Sequence, residues 1–72
     1  MKRVCDNISE LYFATAAKDP RISLNKFNQA INTGYGTAST WVNRRGDPQC
    51  ALIPRIAKFF GVPISRLFEG VE

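Results

Sequence analysis

The breaks in this chain constrain its fold more than any other feature. Asp19-Pro20, Asn32-Thr33-Gly34, Arg45-Gly46-Asp47-Pro48 and Gly61 divide it into short pieces, and within each piece the apolar residues recur at helical intervals. The residue before a proline avoids the α region, so a helix approaching Pro20 must stop. Asn32 is of a type that tolerates a left-handed conformation at a helix end. No piece carries a strand signal. The expectation is a compact all-α domain of five short helices, a single domain over residues 1–72.

The pieces read as follows. Asn7-Ile8-Ser9-Glu10 has the form of a capping box, with Asn7 as N-cap. Ile8, Leu11, Tyr12 and Thr15 then give a first helix to about Ala17. Ser23 caps a second helix with Leu24, Phe27 and Ile31 on one face. A third runs from about Tyr35 to Arg44, with Ala38, Trp41 and Val42 facing in. Its first turn is weakened by Gly36. A fourth runs from about Leu52 to Phe60, where Pro54 is acceptable only in the first turn, and Gly61 closes it. Pro63 opens a last helix through Phe68, with Ile64, Leu67 and Phe68 turned inward. Phe59 and Phe60 are adjacent and cannot both face one core. Phe59 is expected either on the surface, as a dimer contact, or in a satellite core position.

Seventy-two residues bury only about 60% of the surface that the unfolded chain exposes, so nearly every large apolar residue is needed for the core. No apolar run approaches a membrane span, and no signal peptide follows Met1-Lys2-Arg3. Cys5 and Cys50 form no CxxC and there is no histidine, which removes the usual zinc sites and the commonest general base. The cysteines are expected to be reduced thiols in a cytoplasmic protein. Neither a catalytic set nor a metal or cofactor site is expected, nor a small-molecule substrate.

Charge placement is informative. Net charge is +4, but between Pro20 and Phe68 seven cations (Arg21, Lys26, Arg44, Arg45, Arg55, Lys58 and Arg66) face one acid, Asp47. Such a middle suits a polyanionic partner, although a solvated basic face is the plainer alternative. Helix, tight turn and helix from Ser23 to Arg44 form the unit whose second helix fits the major groove of B-DNA, about 12 Å wide. The exposed residues of that helix are Tyr35, Gly36, Thr37, Ser39, Thr40 and Asn43. They can meet base edges and thymine methyls, and they include no carboxylate to repel phosphate.

From Ser23 to Gly70 the chain resembles the helix-turn-helix domain of lambdoid-phage repressors, Cro proteins and their bacterial relatives. Ser23, Phe27, Ile31 and Thr37-Ala38-Ser39-Thr40-Trp41 carry the first part of the likeness. Leu52-Ile53-Pro54-Arg55-Ile56-Ala57-Lys58-Phe59-Phe60-Gly61-Val62 and Ile64-Ser65-Arg66-Leu67-Phe68-Glu69-Gly70 carry the rest. The chain departs from the pattern at Leu24, where relatives usually have Gln, and at Asn28, where they prefer Ala. It departs again at Asn32, usually Gly, and at Ala38, usually Ile or Val. Asn28 sits where a small residue packs against the recognition helix, and the smaller Ala38 leaves room for it.

The resemblance implies a repressor-like helix-turn-helix fold. It places base contacts at Tyr35, Gly36, Thr37 and Thr40, with phosphate contacts at Ser23, Asn25 and Lys26 and at Asn43, Arg44 and Arg45. It also implies a homodimer on a palindromic operator, through the C-terminal part: Phe59 and Leu67 to Val71. One small module makes few base contacts, whereas specific binding commonly requires about 10⁻⁸ M or better. The expected function is therefore sequence-specific duplex DNA binding by a phage or prophage transcription regulator in the bacterial cytoplasm. Such a chain is a Cro-sized whole protein or the N-terminal piece of something longer, and Glu72 directly after the last helix favours the piece. The competing reading is a protein-interaction module, an antitoxin or anti-repressor, which would need an apolar exposed face on the third helix. RNA binding would call for more exposed aromatics than Tyr35.

Overall fold

A computed structural model describes residues 2–31 and 37–71, with the backbone alone at Thr37. Among the described residues five α-helices follow one another: α1 Val4–Lys18, α2 Leu24–Ile31, α3 Thr37–Val42, α4 Ile53–Phe60 and α5 Ile64–Leu67. A 3₁₀ turn, Cys50–Leu52, leads into α4. The described residues contain no strand, and none of their helices is long and apolar enough to cross a membrane. The all-α expectation holds.

The first helix begins earlier than its sequence suggests. Arg3, in extended conformation, is the N-cap, and the Asp6 carboxylate accepts its N–H at 2.8 Å. Asn7 is not a cap. It is fully buried in the first turn, where its Nδ2 donates to the carbonyls of Leu67 (2.8 Å) and Glu69 (2.9 Å). An acid three residues after Arg3 satisfies the helix start, which leaves Asn7 to fasten the first helix to the last. Lys2 and Val71 extend this fastening as an isolated parallel β-bridge. Gly70 makes the approach possible: its φ is +76°, and a Cβ there would lie 3.3 Å from Lys2 Cδ.

Helix α1 ends at Lys18, with Asp19 extended ahead of Pro20 as expected. Ser23 caps α2 through its Oγ, which accepts the Lys26 N–H at 3.2 Å. Helices α3 and α4 stop in the same way. Past α4, Gly61 is left-handed at φ +68°; its N–H reaches Lys58 O (3.2 Å) and the Val62 N–H reaches Ala57 O (3.0 Å). Past α3, Arg44 takes that left-handed position at φ +60°. The Arg44 N–H reaches Trp41 O (3.0 Å) and the Arg45 N–H reaches Thr40 O (2.9 Å). Both are Schellman closures. The third helix is thus shorter than expected at its C-terminal end, because Asn43 and Arg44 belong to the turn. Tyr35 and Gly36, where it was expected to begin, lie outside the described residues.

The core gathers around Phe27, which is fully buried with Cys5, Ile8, Ile31, Ala38, Ile56 and Leu67. The Phe27 ring stacks on Phe59 (centroids 4.9 Å apart) and Tyr12 (6.2 Å) and meets Phe60 (5.1 Å) and Trp41 (5.9 Å) edge to face. Trp41 is core, as expected. Phe59 and Phe60 nevertheless share one core, because Phe27 presents a face to the first and meets the second at 63°. Helix α1 packs on α3 and α5, and α2 packs on α3 and α4. Ile64 and Phe68 do not turn inward; they are 45% and 46% exposed. The last helix is a single turn held by Asn7, and Leu67 takes its inward position.

Candidate nucleic-acid interface

The site is built where α3 lies across α2. Ala38, Trp41 and Val42 bury one side of α3. The other side carries Ser39, half-buried, with Thr40 and Asn43 exposed. The Asn43 amide nitrogen donates to Ser39 Oγ at 3.0 Å, four residues back, so these two side chains hold each other. The outward face is uncharged and rich in hydroxyl and amide groups, which pair with either donors or acceptors.

Asn28 fixes this helix against α2. Its Oδ1 accepts the Ala38 N–H at 3.0 Å, satisfying one of the amides that a helix start leaves without an intrahelical partner. The position where a small residue would have let two helices touch is instead bridged by a hydrogen bond. Ala38 has no bulk to obstruct it. At the far end of α2, Arg55 Nη1 donates to Ile31 O at 3.1 Å and covers an orphan carbonyl.

The turn after α3 carries the cations. Arg3 Nη2 donates to the Arg44 carbonyl at 2.6 Å, while Arg44 Nε stands 3.6 Å from Asp6 Oδ1 with its side chain 54% exposed. Arg45 is exposed and forms no ion pair among the described residues, and the same holds for Lys26 and Lys58. Arg21 is occupied by Asp19, Nε to Oδ1 at 3.1 Å, and this interaction holds the Asp19 carboxyl below its usual range. Asp47, the one acid of the basic interval, is also occupied: its Oδ1 accepts the Cys5 N–H at 3.0 Å. Burial pushes the Cys5 thiol up, and its hydrogen bond to Asp47 adds to the shift. Both cysteines are free, Cys5 buried and Cys50 exposed.

Among the expected base contacts, Thr40 is on the exposed face of α3, whereas Tyr35, Gly36 and the Thr37 side chain lie outside the described residues. Among the expected phosphate contacts, Asn25 and Lys26 are exposed on the first turn of α2, and Ser23 is half-buried with its oxygen capping that helix. Asn43, Arg44 and Arg45 follow α3 and are all exposed. Of the expected dimer contacts, Leu67 needs correction. Leu67 is fully buried and cannot meet a partner, because it fills the core beneath α1. Phe59 is stacked on Phe27, and Val71 is half-buried against the core. Ile64 and Phe68 are the exposed apolar residues of that end.

Asn7, Asn28 and Asp47 were not legible as positioning residues, since each acts on a backbone group that its own stretch of sequence does not reveal, whereas Asp6 acts three residues back and was masked by the competing cap that Asn7 offered. Asn28 alone left a signal, as a polar residue on a helix face that packs. Among the described residues no three His, Cys, Asp or Glu side chains gather as a metal site. Compared with protein-family models, curated proteins and solved structures, the chain matches none.

Proposed function

We propose that this chain binds duplex DNA sequence-specifically, laying α3 in the major groove, and acts as a transcription regulator of the phage repressor/Cro kind. The observation that carries the reading is Arg44. Its left-handed position is one that glycine fills at the end of α4, and a residue with a Cβ costs about 1–2 kcal/mol there. The contact with Asp6 offsets little of that cost, since 3.6 Å is too long for a strong hydrogen bond. An arginine in a left-handed position, directly after a helix with an uncharged polar face, fits a phosphate contact that positions the helix.

Charge supports the same reading. Among the described residues Lys26, Arg45, Arg55 and Lys58 of the interval from Pro20 to Phe68 form no ion pair, and Asp47 is turned to the start of α1. Lys26 on α2 and Arg45 after α3 are available for phosphates on either side of the reading helix. Half-sites about 34–36 Å apart on a palindrome would be read by two copies. Their contact would fall on Ile64 and Phe68 rather than on Leu67.

Selection of random duplex DNA on the purified chain, at about 150 mM salt so that non-specific binding is suppressed, tests this. An enriched inverted repeat is the expected result. Unenriched DNA would overturn the reading and leave a helical protein-interaction module in its place.

A further inference from the structure

We propose that the groove between α2 and α4 is a binding site for a small organic anion carrying a planar ring. The groove has a volume of about 450 Å³ and is lined by Ala30, Arg55, Lys58 and Phe59. That volume lies within the range of small-ligand pockets, roughly 300–1,000 Å³, which combine apolar walls with a few convergent polar groups. None of these residues is needed for the DNA contacts assigned above, so the inference stands apart from that reading.

The chemistry follows from what the four residues have left to offer. Arg55 and Lys58 are three apart on α4, so they share one side of the helix and repel each other mildly. Arg55 commits Nη1 to Ile31 O at 3.1 Å, and a guanidinium carries five N–H donors, so most of its donors remain for a ligand. Lys58 is exposed with no ion pair among the described residues. Among the described residues neither of them forms an ion pair with a carboxylate. An anion placed between the two cations therefore relieves a repulsion and meets two residues that line the groove with donors to spare.

The ring requirement comes from Phe59. One face of it is covered by Phe27, at 4.9 Å and 16° between ring planes. The rest of the ring contributes the apolar wall of the groove, and Phe27 and Phe60 hold it from behind. Ala30 on the opposite wall is small and leaves width for a flat group. A planar ring packed against Phe59, with its carboxylate or phosphate between Arg55 and Lys58, uses the groups that the described residues bring to this groove.

NMR titration of the ¹⁵N-labelled chain, without DNA, tests the proposal. The ring-bearing anions are benzoate and adenosine 5′-monophosphate; benzamide and adenosine supply the ring without the charge, and acetate and inorganic phosphate the charge without the ring. The expected result is saturable shifts at Ala30, Arg55, Lys58 and Phe59 with at least one ring-bearing anion. Its controls should bind at least about tenfold more weakly. Stronger binding of benzoate assigns a carboxylate ligand, and stronger binding of the nucleotide assigns a phosphate. Lys58→Gln, which keeps the backbone contact of that position and removes an exposed side chain with no ion pair among the described residues, should weaken binding about tenfold with unchanged circular dichroism. Arg55→Gln should weaken it at least as much, while also exposing the Ile31 carbonyl. Shifts that never saturate, controls equal to the anions, or binding undiminished by Lys58→Gln would overturn it.

Discussion

Replacing Asn28 with alanine removes the acceptor that holds the start of α3 and leaves a partly buried Ala38 N–H without a partner. Deleting an acceptor of this kind costs about 1–2 kcal/mol, the range seen both for unsatisfied amides and for deleted helix caps. Alanine returns part of this, because it is a better helix former than asparagine by about 0.5 kcal/mol. The net loss is then about 0.5–1.5 kcal/mol. For a domain of this size, with a urea slope of about 1 kcal/mol per molar, the unfolding midpoint should fall by about 0.5–1.5 M. The melting temperature should fall by roughly 2–12 °C. Asn28→Asp keeps the acceptor and places a negative charge at the positive end of α3, so it should remain within about 0.5 kcal/mol of the parent. Urea unfolding of the three proteins decides the matter. An alanine variant as stable as the parent would refute the bridge, and so would an aspartate variant as damaged as the alanine one.

Other perturbations have equally definite outcomes. Phe27→Ala empties the centre of the ring cluster at a cost of about 3–5 kcal/mol, against a total of roughly 4–11 kcal/mol for a chain of this length, so circular dichroism should show a largely or partly unfolded protein. Arg44→Gly should leave thermal stability unchanged or raised while weakening binding to every DNA sequence; a variant that loses stability and keeps affinity would remove the argument from backbone strain. Arg45→Ala should flatten the salt dependence of binding by about 0.9 in log–log slope, the effect of leaving one phosphate without its cation. Thiol reagents should modify exposed Cys50 in the native protein and Cys5 only on unfolding. Because the Cys5 thiol is raised when folded, the unfolded chain ionises first. Its contribution is complete below the ordinary value of 9.0 and fades as pH rises from there through the raised native value, which alkaline urea titrations of Cys5→Ala against the parent would detect.

The local signals in this sequence were reliable where a residue acts on its own neighbourhood. Ser23 caps the helix it precedes, Pro20 and Gly61 stop helices, Pro54 sits in a first turn, and Phe27, Ile31, Ala38 and Trp41 face the core. Periodicity and capping chemistry are properties of a few adjacent residues, so a linear reading recovers them. The basic interval and the uncharged side of α3 were legible for the same reason. The likeness to a repressor domain rested on these spacings and supplied the roles that spacing alone does not.

Other positions were decided only when distant segments met. Asn7 had the pattern of a cap, but two carbonyls sixty and sixty-two residues away claim its amide. Asp47 looked like a lone acid in a basic stretch and proves to serve the first turn of α1. Phe59 and Phe60 can share a core because one ring between them offers a face and an edge, a geometry absent from adjacent letters. Leu67 is inward as its spacing suggested and so not at a dimer contact, while Phe68, expected inward, is exposed once Asn7 fixes the final turn. Helix content and polarity thus followed from the sequence by itself, being set by local backbone preference and side-chain period. The acceptor each buried polar group finds, and which apolar residue stays outside, depended on the tertiary structure, because both are settled by competition among groups far apart along the chain.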